Sequence, residues 1–344
     1  MFDAKYPFIS AYLKGEEAKI ITSEHVNSMS MASNIQDALG AIRETDIGSY
    51  FEELDAKSFD DVDGYLWRYF AQRINYIDSF KLLPEDILKI SKAYLAKYDI
   101  LNIKATLQNI STGKKSHMIP IGIIHNNGLL NKLSTAQNLD NITKILTRCK
   151  LGNYIPALEG YATTGETKSR FLTEAKLDSE YYKNLLKIAR DIKDGSILSK
   201  AIGLSIDMAN LQVVSRAIIE GMGLNATAYT FPEGYTITNK VARELLSCKL
   251  TELPQRLESA QYQYVAEEIL NSYSKTNRVT AVDEIIDKYK FILLKEMLSP
   301  RVLSPLVMAW YLILKEFEMR NLRLILKTIA DGIPIEEIKE YLVL

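Results

Sequence analysis

At 344 residues the chain is long enough for two or three domains with cores of their own, so neither disulfides nor metals are needed to hold it together. Its 47% apolar and 25% charged residues exclude wholesale disorder and a collagen-like or mucin-like chain. Lys and Arg number 42 against 43 Asp and Glu, so, local patches aside, no global field draws the protein onto a nucleic-acid backbone or an anionic membrane.

The N-terminus, MFDAKYPFIS, lacks the basic start, apolar run and small-residue cleavage site of a secretory signal, which points to an intracellular protein. Two cysteines, Cys149 and Cys248, fit a reducing compartment and read as small buried hydrophobes. Nine prolines and sixteen glycines interrupt long apolar-periodic segments, notably Leu82 to Gln108, Tyr181 to Ile219 and Leu306 to Ile329. The expected fold is all-α. HMIPIGII, beginning at His117, and ATAYTFPEGYTI, beginning at Ala226, are the segments most compatible with strands, but their prolines and glycines make them connectors. PLVMAWYLIL, Pro305 to Leu314, is about half the length of a membrane-spanning helix, so any membrane association is expected to be peripheral.

Three motifs of possible chemistry are weak. TGKKS at Thr112 to Ser116 has the end of a phosphate-binding loop, but Gln108 stands where the first glycine belongs and a helix, not a strand, precedes it. DDVD at Asp60 to Asp63 lacks the second acidic cluster that a magnesium-dependent prenyl-transferring site needs, and reads as a solvated helix start. His117 and His125 have no further ligand at zinc spacing, and no Ser-His-Asp or Cys-His context includes His25. No catalytic, cofactor-binding or metal residue is expected. The twenty tyrosines suit either helix packing or protein interfaces.

An internal repeat is more informative. DILNIKATLQNISTG from Asp99, DMANLQVVSRAIIEG from Asp207 and EMRNLRLILKTIADG from Glu318 share one pattern: an acid, an Asn three residues on, Ile or Leu next, and Gly eleven after the Asn. Asn102, Asn210 and Asn321 are 108 and 111 residues apart, so three units use up the chain. RETDIGSYFEEL from Arg43, TRCKLGNYIPAL from Thr147 and a degraded LSCKLTELPQRL from Leu246, 104 and 99 residues apart, support a period of that order. Pro-x-Gly at Pro120 to Gly122 and Pro232 to Gly234 would open the second and third units, giving units 1–118, 119–229 and 230–344.

In the third unit Val307, Trp310, Tyr311, Leu314, Glu318, Asn321, Leu322, Ile325 and Ile329 fall on one helix face, which sets the acid and the Asn inside an apolar stripe. A carboxylate there is costly unless paired, so Asp99, Asp207 and Glu318 should each meet a cation or several donors from a neighbouring helix. With Asn102, Asn210 and Asn321 they read as structural locks that fix helix register, with contact to a partner as a further role. Gly113, Gly221 and Gly332 read as helix stops.

On these blocks, and most specifically on FEMRNLRLILKTIADGIPIEEI from Phe317, the chain resembles the C-subunit family of archaeal A-type ATP synthases, related to the d subunits of vacuolar-type ATPases. The likeness spans nearly the full length. It implies a pseudo-threefold, funnel-like arrangement of three helical domains, a non-catalytic rotor part that joins the central-shaft subunits to the membrane proteolipid ring, with no cofactor and no nucleic-acid or small-molecule partner. Two other classes fit the residues alone: a helical-repeat scaffold, though solenoid repeats are usually 20–50 residues long, and an all-helical metal-dependent enzyme.

Overall fold

The computed structural model describes residues 6–51, 58–81, 83–161, 167–258 and 261–343. The tail of RETDIGSYFEEL, at 52–54, and Leu82 lie outside them. Among the described residues there are helices and turns and no strand, so the fold is all-α. HMIPIGII resolves into irregular chain leading to a four-residue helix, Ile123–Asn126; ATAYTFPEGYTI holds the end of a 3-10 helix, Gly223–Tyr229, and then turns.

Local chemistry sets the helix limits. Ser58 caps Phe59–Asp78 and Asp61 reaches back to the Ser58 N–H, so DDVD begins a helix whose acids sit at the positive end of its dipole. Asn138 caps Leu139–Arg148 in the same way. Gly113, Gly221 and Gly332 follow the three long repeat helices with φ of +71°, +68° and +68°, a region an L-residue enters only with strain. Behind Gly221 and Gly332 the next N–H turns back to a helix carbonyl, Met222 to Ala217 at 2.9 Å and Ile333 to Thr328 at 3.0 Å.

The chain divides into two compact units. One joins Met1–Ser91 to Leu298–Leu344; the other is Lys92–Met297. The axis of the first is Leu306–Ala330, packed against Phe59–Asp78 and Pro7–Glu17. A single buried stripe understates this helix, because every residue from Leu306 to Lys315 is buried. It is enclosed on all sides as far as Lys315, and only beyond it does a wetter face emerge, with Arg323 Nε 2.5 Å from Asp63 Oδ1.

The second unit holds two hydrophobic clusters. One gathers residues from Ala96 to Tyr181 and the other from Met208 to Ile286. They cross positions 118 and 229, so the repeat helices Glu85–Thr112 and Gly195–Ile219 each contribute to the cluster that follows in sequence. Thr167–Arg190 and Gly195–Ile219 pack together across a tight turn at Asp194, φ +57°. Gly195–Ile219 is long and apolar enough to span a membrane, yet 61% of its most apolar window is buried inside the fold, as befits a core helix.

Candidate functional site

The repeated acids and asparagines are all among the buried polar residues of the described structure. Asp99, Asp207 and Asn210 are fully buried, and Asn102, Asn321 and Glu318 nearly so. An unpaired polar group there would cost several kcal/mol, roughly 1–3 for each unmet hydrogen bond, so each side chain's partners define its role.

Asp99 accepts the N–H of Ile123 on Oδ2 at 2.8 Å and of Ile124 on Oδ1 at 2.9 Å. It thereby caps the helical turn Ile123–Asn126 from a different element. Gly122, at φ +104°, lies so close that a Cβ there would sit 2.5 Å from Asp99 Oδ1. Asn102 grips both backbone groups of one residue: its Nδ2 donates to the Ile119 carbonyl at 2.9 Å and its Oδ1 accepts the Ile119 N–H at 2.8 Å.

The second site repeats this. Asp207 accepts the Thr236 and Ile237 N–H groups at 2.8 Å each, and the Tyr262 hydroxyl at 2.8 Å. A Cβ on Gly234 would fall 2.6 Å from Asp207 Oδ1. Asn210 accepts the Phe231 N–H at 2.7 Å and donates to the carbonyls of Phe231 at 2.8 Å and Ile237 at 2.7 Å. The glycine of each Pro-x-Gly loop is therefore the residue that lets the loop backbone close over the buried acid.

In the third site Glu318 accepts the Ile21 N–H at 2.9 Å. Asn321 holds Val343, donating to its carbonyl at 2.6 Å and accepting its N–H at 3.2 Å. Ile119, Phe231 and Val343, the three residues gripped by the asparagines, are 112 residues apart at each step. The donors to the acids are mostly backbone amides, from the first turn of the short helix Ile123–Asn126 at Asp99 and from connectors at Asp207 and Glu318. A connector has N–H groups left over, whereas those of a helix interior are already bonded.

Only the third acid meets a cation. Lys315, fully buried, places Nζ 2.8 Å from Glu318 Oε2, 3.2 Å from Asp46 Oδ2 and 3.2 Å from the Tyr69 hydroxyl, which itself donates to Asp46. Three residues before the acid, this position is Ala96 in the first repeat and Leu204 in the second. Burial raises the Tyr69 hydroxyl far above its ordinary value, helped by the charges of Glu318 and Asp46. Burial likewise raises Asp207, against its backbone and Tyr262 donors, and Glu318, against Lys315. Asp99 is pushed up to about 6 by burial, which its two backbone donors only partly offset.

A pH dependence follows. A carboxyl whose folded pKa lies above its unfolded value binds its proton more tightly when folded, so the stability it contributes is present at low pH and is lost as pH rises through the folded pKa. For Asp99 the loss runs from about pH 4 to pH 6 and amounts to about 3 kcal/mol. Urea unfolding is expected to show higher stability near pH 5 than near pH 7.5, and a flatter profile in Asp99→Asn. Equal stabilities across that window in the native chain would contradict the shift.

The acids at the three sites are engaged by backbone amides, by the Tyr262 hydroxyl at Asp207 and by Lys315 at Glu318. Among the described residues no group of His, Cys, Asp and Glu could hold a metal ion. His117 is exposed and His125 lies in the short helix Ile123–Asn126. A cleft of about 460 Å³ in the second unit is bordered by Lys104 and Asp178, but these pair with each other at 2.5 Å.

The model of the ATP synthase (C/AC39) subunit family matches residues 9–341. The chain belongs to this family. Among curated relatives, each named as the C subunit of an A-type ATP synthase, that of Methanocaldococcus jannaschii is 24% identical over 99% of this chain and 86% of the relative. That of Pyrococcus abyssi is 24% identical over 97% and 89%, and that of Thermococcus kodakarensis 25% over 98% and 90%. C/AC39 is an accessory subunit and not a catalytic one, in keeping with three sites whose hydrogen bonds hold backbone in place.

For this C/AC39 chain, sequence reasoning missed Lys315, Asp46 and Tyr69. The one available signal was a lysine at the end of an otherwise apolar run, PLVMAWYLIL, without a charged counterpart in the other repeats. Asn321→Leu is expected to lower unfolding free energy by about 1–3 kcal/mol, because the buried N–H and carbonyl of Val343 lose their partner. Unchanged stability in urea would show that Asn321 does not hold the terminal segment.

Proposed function

We propose that this chain is a non-catalytic central-stalk subunit of a rotary A/V-type ATP synthase, joining the central-shaft subunits to the membrane proteolipid ring and so coupling rotation to proton or sodium ion transport. The family match across residues 9–341 carries the reading. In it the chain sits peripherally at the cytoplasmic face of the membrane. Its three homologous units, 1–118, 119–229 and 230–344, surround a central axis as a funnel, and the buried locks serve as stiffening pins. Two features support that role. Each of the three repeat helices is pinned by two polar side chains, one turn apart, to the chain 17 to 30 residues further on, and in the third also to Ile21, a geometry that resists sliding of the helix along its axis. The acids spend their acceptors on holding backbone in place, which suits a part that transmits torque.

Affinity capture of the full chain from mildly solubilised host membranes, with mass spectrometry of what is bound, tests the reading. Recovery of catalytic-head, shaft and ring subunits together is expected. Recovery of an unrelated partner, with no ATPase subunit, would replace it with a generic helical scaffold.

A further inference from the structure

Formal charge is close to balanced over the whole chain but not along it. Between Ile100 and Leu158 there are seven Lys and Arg and one acid, Asp140, a net charge of +6 in a protein of net −1. Asp99, just before this stretch, is buried in its lock, and Glu159, just after it, is exposed. Lys104 is neutralised by Asp178. The other six, Lys114, Lys115, Lys132, Lys144, Arg148 and Lys150, are all exposed, and none has an ion-pair partner among the described residues.

The fold gathers these six on the outside of one small core. Ile103, Leu107, Leu133, Ile142, Ile145, Leu146 and Leu151 belong to the same hydrophobic cluster, so the elements that carry the charges are packed together. Lys144 and Arg148 are one turn apart on Leu139–Arg148, and Lys132 is on Leu130–Ser134, which packs against that helix. The Thr106 hydroxyl, which donates to the Asn102 carbonyl, lies 3.4 Å from the Leu133 carbonyl, which places the latter helix less than two turns below the Lys114–Lys115 loop. Like charges so arranged repel one another, a cost that an anionic partner would remove.

The chemistry of the patch separates two kinds of anionic partner. Protein interfaces are depleted in Lys and enriched in Tyr, Trp and Arg, which supply rigid, desolvated anchors. Here five of six cations are Lys, the only aromatic residue of the stretch, Tyr154, is buried, and Leu101 is its one exposed large hydrophobic among the described residues. Long, hydrated side chains without an anchor suit diffuse attraction to a charged bilayer. We propose that Lys114, Lys115, Lys132, Lys144, Arg148 and Lys150 form an electrostatic docking face for anionic phospholipid headgroups. The face holds the second unit at a membrane surface through long-range attraction, without insertion, and it does so whichever protein neighbours the chain has.

The test is sedimentation of the purified full-length chain with vesicles of phosphatidylcholine, alone or with about one third phosphatidylglycerol. Binding to the anionic vesicles only, lost in molar salt, is expected. Lys144→Glu/Arg148→Glu/Lys150→Glu should partition roughly 100-fold more weakly, while Lys240→Glu/Arg243→Glu/Lys275→Glu, elsewhere on the same unit, stays within about 2-fold of the native chain. Thermal melts of both variants show whether either is unfolded; single reversals replace the triple if it is. No binding to anionic vesicles would overturn the proposal, as would equal losses in the two folded variants. Capture of an acidic protein without vesicle binding would also overturn it and assign the charge to protein docking. None of these results depends on assembly with ATPase subunits.

Discussion

Lys315→Met should lower the unfolding free energy by about 3–5 kcal/mol, although Met fills much the same volume. The lysine is fully buried and its ammonium is shared among Glu318, Asp46 and the Tyr69 hydroxyl. Its removal leaves Glu318 without its cation, beside an Asp46 whose remaining cation, Arg73, is 3.9 Å away, in a site closed to water. Burial already raises the Glu318 pKa with the ammonium in place, so without it the carboxyl takes up a proton at higher pH still. The loss is therefore expected to be larger near pH 8 than near pH 5, where a neutral Glu318 relieves part of it. Urea midpoints of both proteins at the two pH values measure this. A variant as stable as the native chain at pH 8 would mean that the ammonium is not what compensates the acids.

Asp207→Ala is expected to cost a similar amount, about 3–5 kcal/mol, for a different reason. Three donors converge on this carboxylate: the Thr236 and Ile237 amides and the Tyr262 hydroxyl. Alanine satisfies none of them and leaves a void between Gly195–Ile219 and the loop that Gly234 folds over the acid. Because two of the donors are backbone amides, no rotamer change can turn them to water. Hydrogen exchange adds a signature: the Thr236 and Ile237 amides should lose protection before the helix does. If both stay as protected as in the native chain, the acid is not what fastens the loop.

The repeat makes much of this legible in the sequence alone. Acid, asparagine and glycine recur at fixed spacing in three helices, and each recurring type has one physical use: an acceptor for amides, a two-way grip on a backbone, a left-handed stop. The Pro-x-Gly loops are readable too, although as openings of units and not as the segments that wrap the acids. What stays hidden is the partner. A repeat fixes a period but not which segments a core draws in, and the clusters Ala96 to Tyr181 and Met208 to Ile286 each take in part of a repeat helix and the chain that follows it.

Lys315 is hidden for the opposite reason. It has no counterpart in the other repeats, and one lysine in an apolar run gives no sign of whether its stem snorkels outward or its charge is enclosed. The matched glycines carry a similar lesson. A Cβ on Gly48 would lie 1.8 Å from the Ile42 carbonyl oxygen, whereas at Gly152 the nearest such contact is 3.9 Å, with the Ile155 side chain. The same letter at the same repeat position is obligatory in one unit and not in the next, which fits Thr251 at that place in the third.

In the proposed role the chain couples rotation to ion movement without doing chemistry. The most direct test of that role is ATP-driven ion uptake by the ATPase reconstituted in vesicles, assembled without this chain and then supplemented with it. Without the chain, ATP hydrolysis by the catalytic head should continue while uptake is absent, and the added chain should restore uptake. Full uptake without it, or loss of hydrolysis by the isolated head when it is withheld, would contradict the account.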